Sequence, residues 1–565
     1  MSTEDRISIE GITNIFEILE RAAERFGDRE FLVIGRREET IGFATLEKRA
    51  SQLAQRLAAL GICPGDRVAL WMTNRIDWAV AALAIARAGA VMVGVSTRLT
   101  PREVAHMLAL AEAKLWILED VMLGKIHAAA ELMPAVLAEL AQRGQPAPVR
   151  LVYSGSGRRY AGTESWHDQM SLPAPSLSTA ASLTADSGRE YPDLLGVAAI
   201  LSTSGTTGAP KGVMLTHASL IRLADAVGRR QYLDAYQSFY SIAPFFHCSG
   251  YMHGLLANLI AGSTYFSTRQ LCPEEMWDVL STHNITVYHG FIGPLQQVLA
   301  LPGFDQRKWR LDRAWYSAPA SEMARLEEAL GFSQCEVYGL TETGGNTCIT
   351  TRDDPVDMRH DSDGRPNDGL EVRIIDPESD AELPEGSPGE IRIRGWNVMR
   401  GYFRDQQATA RAIDADGWLR TGDQGVKLRG GYVKFLSRLK DVIRIGGENV
   451  SPMEIEEIIV GHGDVAEVAV VAAPHEKLDE VPVAFVITKG FSTVTEVDLL
   501  AYCRKRLANF KVPKRIIFVD DFPRTAATNR IQKAELRKML DRNIGPIFRE
   551  VKSAISPKIS KERKQ

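Results

Sequence analysis

Hydrophobic residues recur at steps of three and four positions near the start of the chain. The residues with this spacing are Leu46, Ala50, Leu53, Leu57 and Leu60. Side chains spaced in this way lie on one face of a helix, and a glycine after the last of them is typical of a helix C-terminus. The pattern therefore predicts an amphipathic helix that ends at Gly61.

Shorter apolar runs alternate with helical patterns over the next segment. Residues 67–71 and 89–95 have the apolar, β-branched composition of strands, whereas residues 78–88 have a helical pattern. Strands that alternate with helices are typical of a mostly parallel sheet covered by helices. We therefore predict an α/β fold for this part of the chain.

The composition of the sequence then changes at two places, and these changes suggest a division into domains. Residues 141–193 are rich in Ser, Gly and Pro, and we predict a loop-rich insertion there. After Asp423, short β-like runs with helical patterns between them indicate a separate α+β domain. We predict a large N-terminal domain of several subdomains over 1–438, a small mobile domain over 439–545 and a flexible basic tail over 546–565.

Bulk composition narrows the classes of function. The chain has 565 residues, of which 45% are hydrophobic and 24% charged, so about two to four folding units are expected. A formal net charge of −4 gives no reason to expect nucleic acid as a partner. Its six cysteines lack metal-ligand spacing, and the most apolar stretch, 78–96, is interrupted by Arg87. We predict a cytoplasmic protein with reduced thiols and no membrane insertion.

The segment Thr203-Ser-Gly-Thr-Thr-Gly-Ala-Pro-Lys-Gly212 is the strongest indication of chemistry. Its glycines allow backbone N–H groups to converge on an anion, its hydroxyls add donors, and Lys211 supplies a positive charge. Strand-like runs at 197–201 and 213–215 flank it, so we expect a turn within a sheet. The spacing differs from that of the P-loop and of GxGxxG. Glycines, hydroxyls and a lysine together are the components of a phosphate-binding loop.

This segment resembles the signature of the adenylate-forming enzymes, and further motifs follow in the family's order. They are Ser241-Ile-Ala-Pro-Phe-Phe-His-Cys-Ser-Gly250, Tyr316-Ser-Ala-Pro-Ala320, Tyr338-Gly-Leu-Thr-Glu342, Gly417-Trp-Leu-Arg-Thr-Gly-Asp423 and Arg438-Leu-Lys-Asp-Val-Ile-Arg-Ile-Gly-Gly-Glu-Asn-Val-Ser-Pro452. The resemblance covers about residues 10 to 540. The family contains acyl-CoA synthetases, peptide-synthetase adenylation domains and firefly-type luciferases, and this chain most resembles the acyl-CoA synthetases. It implies a ligase that uses ATP, Mg²⁺ and CoA to convert a carboxylic acid, through an acyl-adenylate, into a thioester.

The resemblance also implies roles for individual residues. The implied nucleotide-binding residues are Thr203, Ser204, Gly205, Thr206, Thr207, Gly208, Lys211, Ser317, Ala318, Pro319, Tyr338, Gly339, Thr341, Asp423 and Arg438. Glu342, with Thr206, is the implied ligand of Mg²⁺, a hard cation that prefers oxygen. Tyr338 offers a flat face to adenine, and the Asp423 carboxylate can accept hydrogen bonds from both ribose hydroxyls.

The remaining implied roles concern the acid and the thiol. His247 is expected beside the acyl carboxylate, and Lys440 at the hinge about which the C-terminal domain rotates. The implied CoA-binding residues are Gly446, Gly447 and Glu448. The candidate acyl-pocket residues are Phe246, Tyr251, Phe291, Gly344, Gly345 and Asn346. The small residues near 344 indicate a roomy tunnel for a bulky or medium-length apolar acid.

The C-terminal motif departs from the family pattern. The family's C-terminal lysine, which bridges the carboxylate and the α-phosphate during adenylation, is replaced by Arg530, preceded by Asn529 instead of glycine. Arginine keeps the charge but presents a wide planar fork in place of a compact ammonium. Loss of one well-aimed transition-state donor typically costs about 10²–10³ in rate. Lys533 is a candidate substitute.

Two functions therefore remain open at this stage. The first is an ATP-dependent acyl-CoA ligase that completes both steps. The second is a ligase-fold enzyme that adenylates weakly or not at all, and mainly transfers an acyl-adenylate made by a separate adenylating enzyme to CoA. A carrier-protein-loading adenylase, a luciferase-like oxygenase and a non-catalytic binding protein are the further alternatives.

Overall fold

The structure is a computed structural model. It describes residues 6–124, 126–172, 196–203, 211–445, 448–475, 478–490, 492–524 and 531–544. The α-helices are Ile15–Phe26, Phe43–Ala59, Ile76–Arg87, Pro101–Leu110, Met133–Gln142, Trp166–Ser171, His217–Arg230, Ala257–Ala261, Pro273–Thr282, Ile292–Leu299, Ala320–Leu330, Val356–Asp361, Gln406–Ala412, Pro452–Val460, Glu496–Arg504 and Lys533–Ile544. The helix predicted to end at Gly61 is thus Phe43–Ala59.

Two large sheets form most of the first part of the chain. The seven-stranded sheet has the order Ser333–Cys335, Arg313–Trp315, Val287–His289, Ser238–Ser241, Thr264–Ser267, Glu30–Ile34, Glu39–Gly42. The eight-stranded sheet has the order Gly401–Tyr402, Lys211–Thr216, Val197–Thr203, Val91–Gly94, Arg67–Trp71, Leu115–Glu119, Val149–Tyr153, Glu164–Ser165. Most neighbouring strands in both sheets run parallel, which confirms the predicted α/β class.

Three smaller sheets complete the fold. The three-stranded sheet contains Val337–Leu340, Gly345–Ile349 and Arg365–Pro366, and the four-stranded sheet contains Leu370–Ile375, Gly389–Gly395, Leu419–Lys427 and Val433–Arg438. The last sheet has the order Glu448–Val450, Ile443–Ile445, Asp479–Thr488, Val465–His475, with Arg515–Phe518 also paired to Asp479–Thr488.

The largest hydrophobic core lies around the helix Ile76–Arg87. This helix is buried from Ile76 to Ala86, and all of these residues except Asp77 are apolar, as expected of a helix enclosed by other elements. Residues of both large sheets share its core, among them Leu32 of the seven-stranded sheet and Leu70 of the eight-stranded sheet. The helix therefore joins the two sheets into one body.

The chain divides into two compact units. One runs to Thr421 and includes Gly425–Phe435, and the other holds Gly422–Gln424 and the chain from Leu436 onward. The second unit has its own apolar core, in which Ile455 and Val470 are buried. The exact boundary predicted at residue 438 and the character of the tail stay predictions.

The expectation of a loop-rich insertion over 141–193 is wrong for part of that segment. Residues Val149–Tyr153 form a strand that pairs in parallel with Leu115–Glu119, and Glu164–Ser165 extends the same sheet. The short run Val-Arg-Leu-Val-Tyr carried this signal, but the surrounding Gly, Ser and Pro residues obscured it. The rest of the predicted insertion from residue 173 lies outside the described residues.

None of the helices in the described part of the chain has both the length and the apolarity needed to span a bilayer.

Candidate active site

A hairpin of the eight-stranded sheet carries the predicted phosphate loop. Its strands, Val197–Thr203 and Lys211–Thr216, are antiparallel, and Thr203 pairs with Lys211. Sequence alone predicted this strand–turn–strand arrangement. A Cβ added to Gly212 would lie 2.8 Å from Ile200 Cγ2, so the close approach of the two strands favours glycine there. The predicted loop residues Ser204, Gly205, Thr206, Thr207 and Gly208 lie outside the described residues.

Lys211 and Glu342 are brought together by a third residue, Tyr402. The Lys211 Nζ lies 4.6 Å from the centre of the Tyr402 ring, and the Tyr402 hydroxyl donates a 2.9 Å hydrogen bond to Glu342 Oε1. Tyr402 is held in place because its strand, Gly401–Tyr402, pairs with the lysine strand. The arrangement combines a cation, a phenol and a carboxylate, all of them half-buried. Such a set can contact a polyphosphate and its metal ion.

A tight turn fixes the position of Glu342. Thr341–Thr343 forms a single 3₁₀ turn directly after the strand Val337–Leu340, and the backbone carbonyl of Glu342 accepts a 2.7 Å hydrogen bond from the Met399 N–H. The buried Thr343 hydroxyl donates to the Leu340 and Gly345 carbonyls. Its neighbour Gly344 has φ +70°, a conformation that L side chains rarely adopt. Backbone geometry therefore presents the Glu342 carboxylate.

The Ser317–Pro319 segment leads from the strand Arg313–Trp315 into the helix Ala320–Leu330. The buried Glu336 supports it, because Glu336 Oε2 accepts a 2.9 Å hydrogen bond from the Ala318 N–H. Burial, together with the nearby Asp363 carboxylate, raises the pKa of Glu336 well above its usual range. A neutral carboxyl group therefore holds this segment, whose residues the family resemblance predicts to bind the nucleotide.

Tyr338 lies in the strand that precedes Glu342. Its side chain is buried, and its ring stacks on that of Phe435 at a centroid distance of 5.9 Å and an interplanar angle of 19°. The next residue, Gly339, has no room for a side chain, because an added Cβ would lie 1.7 Å from the Gly345 carbonyl oxygen. The predicted adenine role for Tyr338 stays a prediction, and one face of its ring already contacts Phe435.

The segment that follows His247 is wound as a π-helix, Ser249–Leu256. π-Helical turns inside α-helices are frequent at functional sites. His247 itself is half-buried, and its Nδ1 accepts a 3.2 Å hydrogen bond from the Ser249 N–H. A second histidine, His253, lies on the same helix and is fully buried.

His253 lies beside a third histidine, His289, with 5.9 Å between the ring centroids. The Ser241 Oγ lies 3.2 Å from His289 Nδ1, and the Ser249 Oγ lies 3.2 Å from His289 Nε2. Burial lowers the pKa of His253 to about 3 and that of His289 well below its usual value. Both imidazoles are therefore neutral at physiological pH.

The predicted acyl-pocket residues differ in their surroundings. Phe246 is buried, whereas Phe291 is 40% exposed and lies just before the helix Ile292–Leu299. Tyr251 is buried, and its ring packs edge-on against Trp78 at 5.5 Å. Asn346 is buried in the strand Gly345–Ile349, and its N–H donates to His253 Nε2 at 3.2 Å. Their roles towards an acyl group stay predictions.

In the second unit, Asp423 and Arg438 form an ion pair. The Arg438 Nη1 lies 2.9 Å from Asp423 Oδ1, and the Asp423 side chain is buried. Ser437, which precedes Arg438, donates a 3.2 Å hydrogen bond from its hydroxyl to Gln424 Oε1. These contacts bring together two side chains that sequence analysis predicted at the ribose.

For the other predicted residues of the second unit, the structure describes some and leaves others out. Lys440 lies in a short 3₁₀ turn, Leu439–Asp441. Glu448 begins the strand Glu448–Val450, while Gly446, Gly447 and Arg530 lie outside the described residues. Lys533, the candidate substitute for the adenylating lysine, forms a 2.7 Å ion pair with Glu456.

Sequence reasoning missed Tyr402, Glu336 and His253. Tyr402 lies between two of the quoted motifs, and no pattern around it indicates that its hydroxyl reaches Glu342. Glu336 precedes Tyr338 by two residues, so its proximity to the Tyr-Gly-Leu-Thr-Glu motif was a usable signal. The position of His253 depends on tertiary packing against Gly345, where an added Cβ would lie 2.3 Å from the imidazole Cε1.

The fold is of the α/β class, and the Lys211–Tyr402–Glu342 set offers the charges that a polyphosphate and its metal ion require. Comparison with known proteins gives the family. Residues 19–403 match the AMP-binding enzyme family, and residues 454–529 match the AMP-binding enzyme C-terminal domain. The chain belongs to the AMP-binding enzyme family, as its motifs predicted.

Its relatives are acyl-CoA synthetases and ligases. A (methyl-dioxo-octahydro-indenyl)propanoyl:CoA ligase of Rhodococcus jostii is 34% identical over 525 residues, which cover 92% of this chain and 97% of the relative. A medium-chain fatty-acid–CoA ligase of Escherichia coli is 31% identical over 508 residues, covering 89% and 86% respectively. The crystal structure of ATP-bound MatB from Rhodopseudomonas palustris matches with a TM-score of 0.80, 28% identity and coverage of 94% and 99%. The protein is an AMP-forming acid–thiol ligase.

Proposed function

We propose that this ligase activates a carboxylic acid with an apolar, uncharged body and transfers it to CoA. The single observation that carries this proposal is the contrast between the Lys211–Tyr402–Glu342 set and the neutral His253 and His289. The first set suits the charge of ATP. The two neutral histidines would leave a charged acyl tail buried without a countercharge, and burial of an unpaired charge costs free energy.

In the first step, a carboxylate oxygen of the acid attacks the α-phosphorus of ATP, and the bond to pyrophosphate breaks. Lys211 would neutralise phosphate charge, as positioning and electrostatics supply most of such catalysis. Glu342 would hold the magnesium ion, because its carboxylate supplies the oxygen ligands that Mg²⁺ prefers and Tyr402 orients that carboxylate through a hydrogen bond to Oε1. When bound, Mg²⁺ would neutralise developing charge on the phosphates.

In the second step, the CoA sulfur attacks the acyl carbon and AMP leaves. Asp423 and Arg438 would hold the ribose of the adenylate in both steps, and Gly446, Gly447 and Glu448 would line the path of the pantetheine arm. Lys440 would be the hinge between the orientations for the two steps. We also place the enzyme in the cytoplasm, since its six cysteines, all within the described residues, form no disulfide.

Completion of both steps by this chain is favoured over transfer alone. The relatives that match about nine-tenths of the chain are ligases by name. This similarity does not favour dependence on a separate adenylating enzyme. The effect of Arg530 on the first step therefore becomes a quantitative question rather than a choice between functions.

A panel of acids tests the proposed function. Purified enzyme is supplied with ATP, Mg²⁺ and CoA, and pyrophosphate release and thioester formation are measured for each acid. The panel contains medium-chain fatty acids, the methyl-dioxo-octahydroindenyl propanoic acid of the Rhodococcus relative, and dicarboxylic acids of matched length. We expect monocarboxylic acids with apolar bodies to give the highest kcat/KM. Preference for the dicarboxylic acids would contradict the proposal.

A further inference from the structure

The protonation of His253 can be assigned from its contacts. Its Nε2 accepts the 3.2 Å hydrogen bond from the Asn346 N–H, so this nitrogen carries no proton. The imidazole is neutral, because burial lowers its pKa to about 3. A neutral imidazole carries one ring proton, which must therefore be on Nδ1. His253 consequently presents an N–H donor at Nδ1.

This donor has no hydrogen-bond partner among the described residues. The Nδ2 amide group of Asn346, the adjoining residue, is also buried and lacks a partner within the same part of the chain. Buried donors are nearly always paired, and an unpaired one costs free energy. Two such donors on contacting residues therefore indicate a group that is bound during function.

The neighbouring His289 has partners for both ring nitrogens, in contrast to His253 and Asn346, although other buried polar atoms of the described residues, such as Asn367 Oδ1 and Trp315 Nε1, also lack a partner. Both His289 nitrogens have serine hydroxyls at 3.2 Å, from Ser241 and Ser249. The structure therefore satisfies one buried histidine completely and leaves donors available on the next. Gly345, which lies beside the His253 ring, adds no side chain next to these donors, because a Cβ there would strike the ring.

We propose that His253 Nδ1–H and Asn346 Nδ2–H recognise an uncharged acceptor oxygen, a ketone in the simplest case, within the body of the acyl group. This inference rests on the proposed function and specifies its substrate class as an apolar oxo acid. An acceptor is required because both available groups donate. An anionic acceptor is disfavoured, because the adjoining His289 is neutral and a buried charge needs a countercharge.

Matched acids test the inference directly. The probes are decanoic acid and a series of oxodecanoic acids in which the ketone is placed at each interior carbon in turn. We expect one position of the ketone to raise kcat/KM over decanoic acid by about 10- to 100-fold, as each donor left unpaired by the alkyl chain weakens binding. Equal values across the series would overturn the inference, as would be found if a buried water satisfied the donors.

Two variants locate the effect. Asn346→Leu removes one donor, and His253→Phe removes the other together with the acceptor of the Asn346 N–H. Each should lower the preference for the favoured oxodecanoic acid over decanoic acid towards unity, whatever its effect on the rate for decanoic acid. His283→Phe is the matched control, because His283 is half-buried and stacks on Phe266 at 5.1 Å. It should leave the preference unchanged. If both site variants lowered the rates for every acid equally, the donors would serve the reacting carboxylate, and the inference would be wrong.

A binding measurement separates this inference from the proposed function. Calorimetry compares stable acyl-sulfamoyl-adenosine analogues of decanoic acid and of each oxodecanoic acid, which mimic the acyl-adenylate without turnover. Tighter binding of one oxo analogue, lost in Asn346→Leu, would support the inference even if no thioester formed, in which case the proposed function alone would fail. Equal affinities of all the analogues would refute the inference while leaving the ligase activity intact.

Discussion

The nucleotide end and the acyl end of the candidate site handle polar groups in opposite ways. At the nucleotide end, Lys211, Tyr402 and Glu342 are half-buried, charged or strongly polar, and in contact with one another. At the acyl end, His253 and His289 are fully buried and neutral. ATP is the same charged ligand in every turnover, so fixed charges can bind it. Selection among acids instead requires a mostly apolar, neutral surface with a few hydrogen-bonding groups.

This contrast leads to a general expectation for variants. Changes at the nucleotide end should lower the rate for all acids by the same factor, since every acid uses the same ATP. Changes at the acyl end should alter the ratio between acids. The following predictions are ways to break or sharpen that distinction.

The largest effect is expected at the charged end. Glu342→Ala and Lys211→Ala should each lower pyrophosphate release by about 10²–10³, because each removes a group aimed at the phosphates or their metal. The reduction should be the same for every acid, while circular dichroism and Tm remain close to wild type. The exposed Glu378 provides the control Glu378→Ala, which should retain full activity. Wild-type pyrophosphate release in both site variants would contradict the assignment.

Arg530→Lys should give the next largest effect, an increase. A compact ammonium should bridge the carboxylate and the α-phosphate better than a planar guanidinium, so acyl-AMP formation should rise by up to about 10². Thioester formation from a synthetic acyl-adenylate and CoA should not change, because the family resemblance assigns this position to the first step alone. If the wild type already forms acyl-AMP at least as fast as it forms thioester, Arg530 is an adequate substitute and the variant should give no increase.

Asp423→Asn should weaken AMP binding by about tenfold or more. Hydrogen bonds to a charged group contribute about 1.5–3 kcal/mol each, and the amide loses the charge and one acceptor. Calorimetry with AMP measures the change, and Asp416→Asn, at an exposed aspartate in the preceding turn, is the matched control. Unchanged affinity for AMP would show that Asp423 serves its ion pair with Arg438 and not the ribose.

Tyr402→Phe should lower pyrophosphate release by about tenfold, less than the loss of Glu342 itself. The substitution keeps the ring beside Lys211 and removes only the hydroxyl that donates to the Glu342 carboxylate, a contribution of about 1–2 kcal/mol. The effect should again be equal for every acid. Tyr236→Phe, at a tyrosine that is 81% exposed, is the control. A change in the preference among acids would break the distinction between the two ends.

The same contrast explains how much of the molecule the sequence could predict. The alternation of strands and helices, the hairpin around the phosphate loop and the Asp423–Arg438 pair all follow from local patterns or family motifs. Tyr402 could not be found in this way, because its strand pairs with a strand nearly two hundred residues earlier in the chain. The short strand Val149–Tyr153 was missed for a different reason, because the Gly, Ser and Pro residues around it obscured its apolar run.

Residues that select a substrate are harder still to predict. The donor at His253 Nδ1 exists only because the Asn346 N–H occupies Nε2, and the contacting residues are 93 positions apart. The motif that contains His247 indicates where an acid binds, since its chemistry is common to the family. It carries no information on the acceptor that the acyl body must supply.

The smallest effect is expected from Glu336→Gln, at the carboxyl group that supports Ala318. A carboxyl whose pKa is raised on folding stabilises the protein fully below its unfolded pKa of about 4.3, and this contribution is lost as the pH rises through the folded-state pKa. Glutamine does not titrate, so the Tm of the variant relative to wild type should increase by a few degrees as the pH is raised from 5 to 9. Glu371→Gln, at an exposed carboxylate, should show no such trend. A constant Tm difference would mean that Glu336 is ionised throughout, and that a charged and not a neutral carboxyl group holds the Ser317–Pro319 segment.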